Sequence, residues 1–482
     1  MRLRLAQNGY SAGFLLFISA LYGGCAVLPE NAALSPVKPV SAYAADKSLA
    51  PSASADWPTD AWWQAYGDPQ LATLITEGLA DASDMRIAAA RVRLAEAAVG
   101  SSRASLLPTV GASAKADSER QSYNYLINES VVPKGWNDAG GGSLSLDWEI
   151  DFWGKNRAAL AAAKGNAAAA EAEAAATRLA LSTGIADAYG HLAALYADRD
   201  STLSAINVRT QTLSLMGDRY AKGLENEGAL ERARSAAAGA EAQLAEVDEG
   251  IALARNQLAA MVGAGPDRGL TMARPKVRGG RFAGVPANLP VDLLGRRPDI
   301  VAARYSADAA SKQIDAARAA YYPNVNLSAM IGRQVLGLNM LTDAGSTLGS
   351  VGPAISLPIF DGGRLRAGER TAVSSYDIAV ATYDKTLTEA LRQVADTVVS
   401  KRQLSRQLAD TRRSMASAEK AWQVVSDRYN GGLATYLEVL TAEDVLITTR
   451  RAAAALQARA FNLDIAMVRA LGGGFRSTEK TS

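Results

Sequence analysis

Three short stretches of the chain alternate between apolar and other side chains. In SLSLDWEI, residues 143–150, every second residue is apolar, and NVNLSAMIG at 324–332 and VGPAISLPIF at 351–360 repeat the pattern. Successive side chains of a strand point to opposite faces, so a period of two predicts β-strands with one apolar face. The second face of each predicted strand carries mainly small or polar residues.

The segments that surround these strands are rich in Ala and free of proline. We predict long helices over 156–218 and 364–427, return helices over 229–262 and 435–471, and shorter helices over 84–106 and 299–321 before the strands. The longest helices would span on the order of 90 Å at ~1.5 Å per residue. Large apolar residues are sparse in them, which favours thin, side-by-side packing as in coiled coils. Such helices are suited to the wall of a hollow cylinder.

The chain also contains an internal repeat. RASLLPTVGASA from Arg103 aligns with RAAYYPNVNLSA from Arg318 at an offset of 215 residues, whereas the two Arg-Tyr pairs at 219 and 428 are 209 residues apart. The register therefore changes only between about 115 and 150, which predicts a surface loop there. Each half reads helix, strand, loop, strand, long helix, turn, helix.

This repeat gives a predicted division of the chain. The predicted segments are a signal peptide at 1–24, a lipid-anchored tether at 25–56, a first structural repeat at 57–262, an equatorial linker at 263–297, a second repeat at 298–471 and a tail at 472–482. The strand pairs are expected near 108–151 and 323–360, and the tips of the helical hairpins near 219–232 and 428–436.

Two interpretations of the four strands remain open at this point. They could form an ordinary half-buried sheet in a soluble domain, although a sheet that small would have exposed edges. They could instead belong to a membrane barrel, in which apolar side chains face the lipid and polar ones the interior. Closure is then required, because lipid cannot pair free backbone groups. A barrel needs roughly eight strands or more, so several chains would have to contribute.

Composition excludes several other classes of protein. The net charge is +2 and basic residues form no runs, so no nucleic-acid partner is expected. One Cys and one His, His191 in an Ala-rich helix, give no support to a disulfide framework, a Cys/His zinc site or a Cys-His catalytic pair. Carboxylates are present without a recognisable catalytic arrangement, so we predict that the chain is not an enzyme and has no metal site.

The N-terminus has the pattern of a secretory signal. MRLR supplies two positive charges, and SAGFLLFISALYGG is an apolar stretch too short to persist as a membrane helix. The small residues before Cys25 resemble a bacterial lipobox, in which the Cys is lipidated, although Tyr22 stands where Leu is usual. By that resemblance, Ala26 favours sorting to the outer membrane. The alternative is a plain signal that is cleaved nearby, with Cys25 lost or left as a free thiol.

Longer motifs identify a family. WWQAYGDPQLATLI, LDWEIDFWGK, LLGRRPDIVAAR, SLPIFDGGR and DRYNGGLATYLEVL resemble the TolC/OprM family of outer-membrane efflux channels, in its lipoprotein branch, over 57–474. The resemblance implies a homotrimer with four strands per chain, a twelve-stranded outer-membrane barrel and a twelve-helix periplasmic tunnel. It also implies a periplasmic adaptor and an inner-membrane pump of the resistance-nodulation-division type as partners. No cofactor is implied apart from the covalent lipid at Cys25.

The glycine turns are the expected periplasmic tips of the hairpins. By resemblance the tips dock the adaptor, and the residues assigned to them are Arg219, Tyr220, Gly223, Arg428, Tyr429, Gly431 and Gly432. A simpler interpretation is that the glycines only end helices, since Gly adopts positive φ at low cost, and both can hold together.

A gate is expected just after the second tip. Several relatives carry acidic residues at the positions of Glu438 and Thr441, so three copies of Glu438 would form an acidic ring and Thr441 would remove a second one. Tyr429 completes the predicted gate. Ala229 stands where some relatives have an aspartate, which removes the basis for a charge bridge between hairpins there. The alternative for Glu438 is a solvated carboxylate on a helix surface.

Two other functions are alternatives to the efflux channel. Type I protein secretion uses the same class of channel, and the adjacent genes would distinguish it by encoding an ABC exporter rather than an adaptor and pump. A lipid-anchored helical scaffold would share the lipobox and helices, but it would not need alternating strands.

Overall fold

The computed structural model describes residues 34–44, 48–49, 56–124, 130–277, 286 and 289–477. The predicted signal peptide and Cys25 lie outside the described residues, as do parts of the tether, the equatorial linker and the tail.

The described chain contains helices and four strands in two similar series. The first is α1 (Pro69–Asp81), α2 (Ser83–Ala104), β1 (Thr109–Glu119), β2 (Asn137–Ile150), α3 (Lys155–Ala221), α4 (Glu227–Met261) and α5 (Asp267–Leu270). The second is α6 (Leu289–Arg296), α7 (Pro298–Ala319), β3 (Asn324–Leu336), β4 (Thr347–Ser356), α8 (Arg364–Asn430) and α9 (Tyr436–Ala470). Short 3-10 turns lie at Val40–Ala42, Trp62–Tyr66, Leu338–Met340 and Ala344–Ser346. The helix predicted over 156–218 is α3, and the alternating stretches lie in β2, β3 and β4, except for residues 357–360, which follow β4.

The strands form one antiparallel sheet in the order β1-β2-β3-β4. Directly opposed residues share a face, and Leu144 lies opposite Ala112 on β1 and Ile331 on β3. On the last strand, Val351 lies opposite Ala329. The alternating apolar positions of the four strands therefore coincide on a single face, while Met330 and Leu348 lie on the other. Large side chains of the apolar face are open in the chain, with Val351 79% and Ile331 62% exposed.

The opposite face of the sheet is mainly polar and internally hydrogen-bonded. The Ser113 and Ser143 hydroxyls are 3.0 Å apart across β1 and β2. The Ser328 hydroxyl donates to Asp147 Oδ1 at 2.9 Å across β2 and β3. Cross-strand pairs of this kind fix the register of a sheet. The outer edges of β1 and β4 have no partner strand among the described residues.

The chain divides into two compact units. The strand unit comprises residues 93–168 and 304–382 with the described residues up to Pro36, and the helical unit comprises 37–92, 169–303 and 383 onward. Within the helical unit, side-chain ion pairs order the helices as α4, α3, α9 and α8. These pairs are Arg199–Asp248 at 2.6 Å, Arg451–Asp198 at 2.5 Å and Arg450–Glu419 at 2.7 Å.

The LLGRRPDI motif builds the corner between α6 and α7 in the helical unit. Arg297 is 5% exposed. Its guanidinium donates twice to the Asp299 carboxylate, at 3.0 and 2.6 Å, and also to Gln393 Oε1 at 2.9 Å and the Ala470 carbonyl at 3.3 Å. One buried cation thereby joins the start of α7 to α8 and α9, with its charge balanced by Asp299.

The described part of the predicted tether packs on the helical unit. Leu49 is 4% exposed and joins a core with Leu289, Leu293 and Leu387. Tyr43 packs against the same core. None of the helices in the described part of the chain is both long and apolar enough to cross a membrane.

Candidate functional site

Both predicted tips are tight turns with the same backbone geometry. At the first, Gly223 has φ 71°, and the Leu224 amide donates to the Arg219 carbonyl at 2.9 Å. At the second, Gly432 has φ 74°, and the Leu433 amide donates to the Arg428 carbonyl at 2.7 Å. Each glycine amide also donates to the Tyr carbonyl three residues earlier. This is the Schellman motif, which uses a left-handed residue to satisfy the last carbonyls of a helix.

The two adjacent glycines of the second tip differ in their roles. Gly432 requires positive φ, whereas Gly431 is not among the positive-φ glycines. A Cβ on Gly431 would meet the Arg428 and Asp427 carbonyl oxygens at 3.6 Å, an ordinary contact distance. Only the second glycine is therefore demanded by the turn.

A side-chain cap starts the return helix after each tip. The Asn226 Oδ1 accepts from the Ala229 amide at 2.9 Å. Thr435 and Glu438 form a capping box, in which Glu438 Oε2 accepts from the Thr435 amide at 3.2 Å. Each tip is thus five residues long, 222–226 and 431–435, with a defined end on both sides.

Tyr429 joins the second tip to the first within one chain. Its side chain is 3% exposed, and its hydroxyl donates to Glu225 Oε1 at 3.0 Å and lies 3.4 Å from Met216 Sδ. The Arg219 guanidinium carbon lies 4.6 Å from the centre of the Tyr429 ring, within cation-π range. We call Arg219, Glu225 and Tyr429 the tip clamp.

The electrostatics of the tip clamp keep the phenol protonated. Burial is the main cause, and the neighbouring Glu225 carboxylate adds to it, so the pKa of Tyr429 is raised to about 12. The hydroxyl is therefore a permanent donor at neutral pH. The positive charge of Arg219 has the opposite effect and offsets part of the rise in the pKa of Tyr429. The clamp combines a charge-assisted hydrogen bond with a buried aromatic contact.

Ala229, where some relatives have an aspartate, is buried in the core of the tips. It is 2% exposed and packs in a small core with Met216, Tyr429 and Tyr436. A carboxylate at that position would be buried in this core. The clamp carboxylate instead comes from Glu225, four residues earlier in the turn. The absence of an acid at 229 therefore does not leave the two hairpins unbridged.

A second connection lies further along the same helices. Arg209 on α3 donates to Glu443 Oε1 at 3.3 Å, to Asp444 Oδ1 at 2.7 Å and to the Ala236 carbonyl on α4 at 3.0 Å. Glu443 is 2% exposed. Its burial raises the pKa of the carboxyl, and the neighbouring Arg209 offsets part of the rise. One arginine thus ties α3, α4 and α9 together.

The remaining predicted gate residues lie on α9, outside the tip clamp. Glu438 and Thr441 are exposed and line an open groove with Leu437 and Val445. The Thr441 hydroxyl donates to the Leu437 carbonyl at 2.8 Å. The structure therefore does not bring Glu438 and Thr441 together with Tyr429, which lies in the tip core.

The predicted docking residues are divided in the same way. Arg219 and Tyr429 point into the clamp, whereas Tyr220 is 44% exposed. The Arg428 guanidinium donates to the Leu433 carbonyl at 3.0 Å and so braces its own turn. The most exposed apolar side chains of the tips are Leu224 at 63% and Leu433 at 72%.

Sequence reasoning did not single out Glu225, Met216, Arg209 or Glu443. One signal was available for Glu225, because the repeat places Ala434 at the equivalent position of the second tip. Arg209 likewise has Ala418 as its counterpart. A charged residue present in only one of two repeats marks a contact that only one repeat makes.

Comparisons with known proteins agree on one family. The sequence model described as "Outer membrane efflux protein" matches residues 74–264 and 289–473. The fusaric acid resistance protein FusA of Burkholderia cepacia is 35% identical over 369 residues, which cover 75% of this chain and 69% of FusA. The probable outer membrane lipoprotein SilC of Salmonella typhimurium is 28% identical over 465 residues, 96% of this chain and 98% of SilC.

A solved structure agrees as well. The outer membrane protein VceC of Vibrio cholerae is 44% identical in sequence and superposes with a TM-score of 0.82, over 87% of this chain and all of VceC. The fold class predicted from the sequence, with long helices and four strands per chain arranged in two repeats, is confirmed.

The two glycines of the second tip allow a matched test. Gly432→Ala forces a Cβ into left-handed backbone, which costs roughly 1–2 kcal/mol, whereas Gly431→Ala meets no such strain. We expect backbone amides at 428–436 to exchange hydrogen about five- to thirtyfold faster in Gly432→Ala, by the energy of that strain. Gly431→Ala is expected to exchange like the wild type. Equal exchange in the two variants would show that the Schellman turn is not what holds this tip.

Proposed function

This chain belongs to the outer membrane efflux protein family, and we propose that it is the outer-membrane channel of a tripartite efflux system. It conducts drugs or other small molecules passively from an inner-membrane pump to the exterior and performs no chemistry. The observation that carries the proposal is the sheet, whose alternating apolar side chains coincide on one face, on which Leu144, Ile331 and Val351 are exposed. That face suits lipid, and the hydrogen-bonded polar face suits an aqueous interior.

Three copies of the chain form the channel. Four strands cannot close, and the edges of β1 and β4, which have no partner strand within the described ranges, are left for strands of neighbouring copies. Strands of 10 to 14 residues are long enough to cross the hydrocarbon layer. The two repeats, 57–262 and 298–471, supply two strands and one helical hairpin each.

The exposed tips dock a periplasmic adaptor, which links the channel to a pump of the resistance-nodulation-division type. Leu224 and Leu433 occupy equivalent places in the two tips and present apolar surface beside Tyr220. Exposed apolar side chains framed by a rigid turn are typical anchors of a protein interface. The type of pump rests on the resemblance of the whole chain to the lipoprotein branch of the family.

The tip clamp is the first part of the gate. It joins the two hairpins of one chain at the end where the tunnel narrows, so opening has to separate Tyr429 from Glu225. A hydrogen bond to a charged group contributes about 1.5–3 kcal/mol when it is buried. Arg209 with Glu443 and Asp444 restrains the same helices further along.

Tyr429→Phe tests the clamp and the channel together. The variant keeps the buried ring and loses only the hydroxyl donor, so resting conductance in planar bilayers is expected to rise on the order of tenfold, in line with the lost bond. Tyr220→Phe removes the equivalent exposed hydroxyl and serves as the control, with conductance unchanged. The oligomer of each protein is checked by native mass measurement in detergent, where a trimer is expected.

The outcomes separate the two ideas. If the wild type is a water-soluble monomer that gives no conductance, the channel proposal fails. If the wild type conducts and Tyr429→Phe conducts no more than Tyr220→Phe, the clamp is not a gate, and the channel proposal stands.

Glu438 is the second part of the gate. Three copies facing the tunnel form an acidic ring that attracts cations. Glu438→Gln removes the charge and keeps the capping box, because Gln can replace Glu in that motif. We expect the cation-to-anion permeability ratio to fall and block by divalent cations to weaken. Glu438→Ala removes both charge and cap, so an effect seen only with Ala would come from the helix end, and Glu438 would then lie outside the pore.

Cys25 carries a covalent lipid that anchors the N-terminus to the outer membrane. The support is the lipobox-like sequence before Cys25 together with the match to SilC, which is named an outer membrane lipoprotein. Cys25→Ser is expected to abolish palmitate labelling and to leave a non-acylated N-terminus. Channel activity is expected to fall only partly, because the barrel itself holds the protein in the membrane. Mass spectrometry of a wild-type mature chain that lacks Cys25 would disprove the assignment.

A further inference from the structure

The chain passes from strand to long helix twice, and the two passages differ in charge. We call residues 149–157, between β2 and α3, the first junction, and residues 358–366, between β4 and α8, the second junction. The two are equivalent by the repeat offset of 209 residues. Each has a basic pair at the start of its helix, Lys155 and Arg157 in the first and Arg364 and Arg366 in the second.

The first junction neutralises its basic pair within the chain. Lys155 Nζ lies 2.5 Å from Glu149 Oε1. Arg157 Nε lies 3.3 Å from Asp151 Oδ2, and the same carboxylate accepts from the Arg157 amide at 2.8 Å. Two carboxylates therefore balance two cations.

The second junction lacks both of those carboxylates. Pro358 stands at the position equivalent to Glu149, and Phe360 stands at the position equivalent to Asp151. One carboxylate remains, Asp361, which accepts from the Gly363 and Leu365 amides at 2.9 and 2.7 Å and interacts electrostatically with Arg364. Within the part of the chain that the structure describes, neither arginine of this junction forms an ion pair, and both are exposed.

Large apolar side chains stand open beside these arginines. Ile359 is 88% and Phe360 is 91% exposed. Ile359 lies three residues after the end of β4, whose apolar face carries Val351 and Ile355, 79% and 70% exposed. Exposed apolar side chains thus adjoin a site where two arginines have one carboxylate, Asp361, beside them. That combination fits the border between acyl chains and headgroups.

The first turn of a helix disfavours the two arginines, and the one carboxylate beside them, Asp361, is a single charge against two. The N-terminus of a helix carries partial positive charge, so cations in the first turn are unfavourable. Arg364 is the first residue of α8, and Arg366 follows two residues later. We propose that the second junction binds an anionic phospholipid of the inner leaflet, with Arg364 and Arg366 on its phosphate and Ile359 and Phe360 among its acyl chains. The inference rests on the outer-membrane location and adds a specific lipid site to it.

Lipid retention by the intact detergent-purified channel tests the site. Arg364→Gln/Arg366→Gln is compared with Arg402→Gln/Arg406→Gln, which removes the same charge from exposed arginines later in α8. Native mass spectrometry after titration with phosphatidylglycerol is expected to show apparent affinity reduced about fivefold for each arginine replaced in the junction. The control pair and titration with phosphatidylcholine are expected to match the wild type. An equal loss in both pairs, or a loss in neither, overturns the proposal.

A photoreactive residue at Phe360 identifies what covers it. We expect adducts with phospholipid when the full channel is illuminated in vesicles that contain phosphatidylglycerol. Adducts with a neighbouring copy of the chain in place of lipid would overturn the proposal. Conductance is measured on the same preparations and is expected to be that of the wild type for both arginine pairs. Failure of the lipid site therefore leaves the channel proposal untouched, and loss of the channel would show in conductance instead.

Discussion

The pairing of backbone amides and carbonyls in lipid is the constraint on which this architecture depends. A hydrocarbon layer offers no water to satisfy free N–H and C=O groups, so a sheet that enters it has to close on itself. Among its described residues, one chain supplies a sheet whose outer strands each lack a partner on one side and whose apolar face includes exposed side chains. Completion of the sheet therefore needs other copies, and the proposed number of three rests on the family rather than on the strand count.

Duplication of one unit explains how the chain can repeat its geometry while its side chains diverge. The tips share Schellman turns, glycines of positive φ and side-chain caps at an offset of 209 residues. Backbone geometry was kept because both hairpins have to reverse direction in the same way. Side chains that contact something present only once were free to differ. Glu225 against Ala434 at the tips and Asp151 against Phe360 at the junctions are such differences.

Periodicity predicted the elements well because it is local information. The helix predicted over 156–218 is Lys155–Ala221, and that over 364–427 is Arg364–Asn430. The strands were predicted from the alternation of apolar residues, and the turns were predicted from the positions of the glycines. The tip clamp could not be predicted, because Tyr429 and Glu225 are 204 residues apart in the chain. The sequence contains no period that joins them, and the available comparison, an aspartate expected at 229, directed attention to a position that is buried in the tip core.

Tyr220 and Tyr429 occupy equivalent positions of the repeat but differ in their surroundings. Tyr220 and Tyr429 each precede their glycine by three residues, yet the first is 44% exposed and the second 3%. The difference arises because Arg219 lies over the Tyr429 ring and Glu225 accepts a hydrogen bond from the Tyr429 hydroxyl. Arg219 and Glu225 both belong to the first hairpin. Arg219 and Glu225 of the first hairpin therefore contact the second hairpin, whereas Tyr220 of the first hairpin stays exposed. An internal restraint and an external docking surface can thus occupy the same end of the molecule without sharing a side chain, so binding of a partner at Tyr220 need not disturb the clamp directly. Coupling between docking and opening would then pass through the two turns, since each joins an exposed leucine, Leu224 or Leu433, to the helix end that carries Arg219 or Tyr429.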